Sequence, residues 1–143
     1  MRHKIGAPAA RPVKILILKP SSLGDVVHTL PAVALLKRHW PASRLTWLIN
    51  PERAPLLEGN PDCSRVLTIA QRPTLAEHLG LLRRIWRGYD LAVASQQSDR
   101  SHLYAWCAGR RRVGLVPDVR ASSAWKRASC FAYEILDDVN THT

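Results

Sequence analysis

Five short, largely apolar runs, residues 13–18, 45–49, 66–69, 91–94 and 112–115, constrain the fold of this chain more than any other feature. Each is bounded by Pro, Gly, Asn, Asp or Ser. Their hydrophobicity is continuous rather than alternating, the mark of strands covered on both faces. Helical patterns lie between them. Across 74–86, Leu75, Leu79, Leu82 and Trp86 recur at steps of four, three and four, which predicts an amphipathic helix burying that stripe, with Glu77, Arg83 and Arg84 facing out. Residues 26–40 predict a longer apolar helix in which Pro31 imposes either a kink or a fresh start capped by Thr29. Residues 98–107 predict a third helix, stopped at Gly109. Strand and helix in alternation specify an α/β fold, a Rossmann-like parallel sheet with helices on both faces. The five tryptophans, Trp40, Trp47, Trp86, Trp106 and Trp125, fall at helix or strand positions where packing into the core is the default.

The chain's 143 residues suit one domain. Residues 1–12 carry Pro, Ala and scattered charge without periodicity and read as a flexible leader, so the domain is expected over 13–143. The 21 Lys and Arg against 11 Asp and Glu give a net charge of +10, with nine basic residues before Pro61 and twelve after it. Such a surface attracts anions, and nucleic acid, an anionic membrane and a phosphorylated small molecule all qualify. There is no aromatic RNA-binding motif, zinc-finger spacing or interleaved aromatic and basic stripe to point to nucleic acid. The run Arg110, Arg111, Arg112 reads as a solvated face.

Cys63, Cys107 and Cys130 are odd in number and widely spaced, with no C-x-x-C pair and no histidine at metal-ligand spacing. This suits a reduced cytoplasmic chain with buried thiols and no metal. No apolar run is long enough to span a bilayer, and the basic N-terminus lacks the apolar segment of a secretory signal.

In a doubly wound parallel sheet, ligands sit outside the carboxyl ends of the strands, so the turns after the first and fourth strands, 19–24 and 95–99, are where chemistry is expected. The first turn is neither a Walker loop nor G-x-G-x-x-G. It offers Lys19, then Ser21 and Ser22 as hydroxyl and backbone donors, Gly24 for close backbone approach, and Asp25 in the first turn of a helix. From spacing alone Asp25 reads either as an acid complementing the helix dipole or as a general base at the mouth of the sheet. His28, one turn on, reads either as a partner of that carboxylate or as a histidine fixing the helix against the sheet.

The string ILILKPSSLGDVVHTLPAVALLK, with its core S-S-x-G-D-x-x-H-T-x-P, resembles the opening of the glycosyltransferase family 9 enzymes, the lipopolysaccharide heptosyltransferases. NPERAPLLEGNPDCSRVL looks like that family's second helix and third strand, and YDLAVASQQSDRSHLYAWCAGRRRVGL like its fourth strand, following helix and R-R-x-G strand. The resemblance spans roughly residues 13–120. It implies the N-terminal, acceptor-side half of a GT-B pair of Rossmann-like domains. Asp25 inherits the role of the base that deprotonates the acceptor hydroxyl, in an inverting transfer from ADP-heptose that needs no metal. Lys19, Ser21 and Ser22 fall in the acceptor-side loop, and Gly24 and the motif histidine His28, one helical turn beyond Asp25, join them as substrate-binding candidates. Gln96 matches a glutamine after the fourth strand, and Arg120 lies near an arginine that contacts the acceptor. The chain departs from the pattern at Ala94, where an aspartate is usual, and at Gln97, where a glycine is usual.

The implied partner is the anionic lipopolysaccharide inner core, met at the cytoplasmic face of the inner membrane. The chain stops at Thr143 on ILDDVNTHT, which looks like the lead-in to a further helix. The expectation is therefore that the nucleotide-sugar domain is absent or separately encoded, and that the 143 residues alone do not transfer heptose. The alternative from a different class is a Rossmann-like module that binds an anionic glycolipid or nucleic acid without turnover.

Overall fold

The computed structural model describes residues 12–20, 23–95 and 99–114. Its elements run β1 (Lys14–Leu18), α1 (Leu23–His39), β2 (Arg44–Ile49), a 3₁₀ helix (Pro51–Leu57), β3 (Arg65–Thr68), α2 (Leu75–Ile85), β4 (Tyr89–Ala94), α3 (Asp99–Ala108) and β5 (Gly109–Gly114). The strands form one sheet in the order β3-β2-β1-β4-β5, and every neighbouring pair is parallel. From β1 the chain builds outward to β2 and β3 on one side, then crosses to β4 and β5 on the other. The order therefore reverses between β1 and β4, and the crevice at their carboxyl ends is the ligand position of such sheets.

Strand β1 reads as continuously apolar because its alternate side chains serve two cores. Ile15 and Ile17 pack with Val26 and Val33 of α1 and with Trp47 and Leu57. Leu16 and Leu18 pack with Leu81 and Ile85 of α2 and with Tyr104, Ala105 and Ala108 of α3. All four β1 side chains are buried, each contributing about 1.5–3 kcal/mol.

Helix α2 begins where the sequence places it. Thr74 Oγ1 accepts from the Glu77 backbone N–H, and Glu77 Oε2 accepts from the Thr74 N–H, a complete capping box. Its buried face differs from the expected one. Leu81 and Ile85 are buried, whereas Leu75, Leu79 and Trp86 are 74%, 51% and 55% exposed. The inward stripe is His78, Leu81, Leu82 and Ile85, and its polar member is satisfied by a 2.8 Å hydrogen bond between His78 Nδ1 and the Tyr104 hydroxyl on α3. The buried stripe is the one whose Leu81 and Ile85 join the core, and α3 supplies the partner its histidine needs.

Helix α1 runs through Pro31 without a fresh start. Thr29 is not a cap; its Oγ1 donates to the Asp25 carbonyl at 2.7 Å. Helix α3 ends at Ala108, so Gly109 stands in the stop position expected of it and is also the first residue of β5. A Cβ there would lie 2.7 Å from the Ala92 Cβ and 2.9 Å from the Ala92 nitrogen, so the close approach of β5 to β4 requires glycine. Of the tryptophans, Trp47 is fully buried and Trp40 half-buried, but Trp86 and Trp106 are more than half exposed. Trp125, Cys130, nearly all of the expected leader and the chain after Gly114 lie outside the described residues.

Candidate functional site

The turn after β1 is pinned from both neighbouring strands. On the β2 side, the Trp47 indole Nε1 donates to the Lys19 carbonyl at 3.2 Å and the Asn50 N–H donates to the Pro20 carbonyl at 3.0 Å. On the β4 side, Lys19 Nζ donates to the Ser95 carbonyl at 3.0 Å. The chain therefore leaves β1 along a fixed path, with Lys19 and Pro20 buried, and enters α1 at the switch-point crevice.

Asp25 is the third residue of α1, where its charge complements the helix dipole. Its carboxylate is 58% exposed, and Oδ2 lies 3.9 Å from the ammonium of Lys19, whose side chain is only 11% exposed. A carboxylate that a buried cation holds on one side and that opens to solvent on the other can accept a proton from an incoming hydroxyl. Burying Asp25 would have made it structural; its exposure at the ligand edge makes it available. Gly24 is likewise open, with nothing within 4 Å of where a Cβ would stand, so packing does not demand a glycine there. His28 is exposed. That overturns the reading in which it fixes the helix against the sheet and leaves its ring on the solvent side with Asp25.

The structure thus places Lys19, Gly24, Asp25 and His28 at one edge of the sheet, with Lys19 and Asp25 in contact. Ser21, Ser22, Gln96 and Arg120 lie outside the described residues. Sequence reasoning missed Trp47, Asn50 and Ser95, whose backbone and indole groups set the turn. Asn50 left a signal, since Asn-Pro marks the start of the 3₁₀ helix. Its Oδ1 is closed off from solvent with no hydrogen-bond partner among the described residues. Ala94, which departs from the family pattern at the end of β4, is packed to 1% exposure and offers no polar group there.

Among the described residues no group of three or more His, Cys, Asp or Glu is arranged to hold a metal. A cavity of about 500 Å³ lies at the opposite, amino-terminal edge of the sheet, lined by Lys14, Arg44, Arg65 and Arg84 among others. It is remote from the switch point, and the position of the crevice, rather than cavity size, identifies the site.

Known proteins resemble this chain over most of its length. Lipopolysaccharide heptosyltransferase 1 of Pseudomonas aeruginosa is 32% identical over 115 residues, covering 73% of this chain and 31% of that protein. The enzyme of the same name from Salmonella typhimurium is 29% identical over 94 residues. This chain is similar to part of the lipopolysaccharide heptosyltransferases. A family 9 glycosyltransferase from Veillonella parvula superposes with a TM-score of 0.71 at 19% identity, over 85% of this chain and 35% of that one. The E. coli heptosyltransferase WaaC, solved with ADP-2-deoxy-2-fluoro heptose, superposes with a TM-score of 0.68 at 22% identity, over 82% of this chain and 41% of that one. These two likenesses establish the Rossmann-like fold of the family's GT-B enzymes. The chain spans about a third of the length of its Pseudomonas and Salmonella relatives. No protein-family model matches the sequence.

Proposed function

We propose that this chain forms the acceptor-side domain of a family 9 glycosyltransferase, which transfers heptose from ADP-heptose to the anionic inner core of lipopolysaccharide with inversion at the anomeric carbon. Asp25 Oδ takes the proton of the acceptor hydroxyl, the oxygen forms a bond to the anomeric carbon, and the bond from that carbon to the diphosphate breaks, releasing ADP. Donor binding belongs to polypeptide beyond the described residues. The observation that carries the reading is the exposed Asp25 carboxylate beside the buried Lys19 ammonium at the switch point.

The Lys19 ammonium faces the carboxylate from 3.9 Å before the acceptor arrives. The +10 charge suits an acceptor bearing phosphates and carboxylates on the cytoplasmic face of a membrane. The experiment is transfer from ADP-heptose to a deacylated inner-core acceptor by protein containing both halves. Asp25→Ala is expected to lower the rate about a hundredfold or more, and an unchanged rate would refute the assignment. A second reading, a binding module without turnover, draws on the loss of a polar side chain at Ala94. Acceptor binding with no transfer by the complete protein would favour it.

A further inference from the structure

The stripe expected to be buried on α2 is instead one of the largest apolar exposures of the described chain. Leu75, Leu79 and Trp86 are 74%, 51% and 55% exposed, and Trp106 of α3 is 53% exposed. They form one surface. Leu79, Leu82, Arg83 and Trp86 line one depression, and Trp86 and Trp106 share the next with Arg87, Arg110 and Arg112. Four arginines therefore rim the Leu79–Trp86 end of the strip, about 10 Å along α2 at 1.5 Å rise per residue, and no carboxylate lines either depression.

Arg87 adds an independent sign of purpose. It follows the end of α2 with φ 45°, in the left-handed region where glycine is the usual residue, although Gly88 stands next to it. Its guanidinium lies 5.9 Å from the centre of the Trp86 ring. A cation is thus kept beside an exposed indole at a backbone position that costs a non-glycine residue about 1–2 kcal/mol.

We propose that this α2–α3 face is a membrane-docking surface, with Leu75, Leu79, Trp86 and Trp106 entering the headgroup boundary of a bilayer and Arg83, Arg87 and Arg110 engaging anionic phospholipid. Indole rings and leucines flanked by arginines are the chemistry of an interfacial helix on an anionic leaflet. The occupant is identified by charge complementarity, since apolar side chains alone would suit any hydrophobic partner while an all-cationic rim selects a negative one. The inference extends the reading of the chain as acting on a membrane-bound acceptor.

The test is sedimentation of the full-length protein with vesicles of phosphatidylcholine alone or with phosphatidylglycerol, at low and high salt. Neither vesicle contains an acceptor. Binding is expected to require the anionic lipid and to weaken with salt. Arg87→Gly should weaken it about fivefold while leaving the melting temperature unchanged or raised. Leu79→Ser with Trp86→Ser should weaken it about tenfold or more. Equal binding by all variants overturns the proposal. So does a fall in melting temperature for the Leu79/Trp86 pair, which would show the face covered by the chain itself, or loss of a concentration-dependent dimer in that pair. Asp25→Asn should bind vesicles as the wild type does, so failure of the transfer reading and failure of docking are separable.

Discussion

Lys19 Nζ reaches two groups at once: it donates to the Ser95 carbonyl at 3.0 Å and stands 3.9 Å from Asp25 Oδ2. One buried ammonium therefore ties the end of β1 to the end of β4, across the point where strand order reverses, and faces the carboxylate at the start of α1. The packing of the sheet and the electrostatics of the site share a residue.

Lys19→Met removes both links. The Ser95 carbonyl loses a charge-assisted bond, so stability should fall by about 1.5–3 kcal/mol in urea denaturation. The Asp25 carboxylate also loses the cation 3.9 Å away, so the transfer rate should fall. A Lys19→Met protein with wild-type stability and an unchanged rate would show that the contact is idle.

Two glycines separate packing from function. Gly109→Ala drives a Cβ into Ala92, including its backbone nitrogen, and should cost about 1–3 kcal/mol. Gly24→Ala meets open space in the first turn of α1 and should stabilise by about 0.5–1 kcal/mol, yet lower kcat/KM if the acceptor approaches the backbone there. Thermal melts together with steady-state kinetics check both.

Burial raises the Cys107 and Cys63 thiols above the ordinary 9.0 and the Tyr104 phenol above the ordinary 10.0, Arg100 partly offsetting the last. The folded state thus favours the protonated forms. Their contribution is complete below about pH 9 and is lost as pH rises through the raised values. Denaturation midpoints should hold from pH 7 to 9 and then fall, and Cys107, which is buried, should react with iodoacetamide far more slowly in the native than in the unfolded protein at pH 8. Equal labelling rates would contradict its burial.

The hydrogen bond between His78 and Tyr104 satisfies the polar member of the buried face of α2. Tyr104→Phe leaves His78 without that partner and should cost about 1 kcal/mol, measured by chemical denaturation.

Helix α2 shows what sequence reasoning reached and where it stopped. Sheet, helices and the position of Asp25 were legible because continuous apolar runs, helical spacing of apolar residues and the Ser-Ser-Leu-Gly-Asp turn are local signals. The buried face of α2 was not, because two stripes share Leu82 and the one that joins the core packs with residues distant in sequence. Gly109 was legible as the stop of α3, but its packing constraint against the neighbouring Ala92 is invisible in sequence. The anchoring of the Lys19 turn escaped for the same reason, since Trp47 and Ser95 act from other strands.

The most direct test of the account is the single-turnover rate of heptose transfer by Asp25→Asn in protein carrying both halves of the reaction, measured across pH. Asn keeps the size and position of the side chain but cannot take a proton. The account predicts normal folding, nearly unchanged acceptor affinity, a rate lower by about a hundredfold or more and loss of the acidic limb of the profile. A wild-type rate with the limb intact would contradict the assignment of Asp25 as the base.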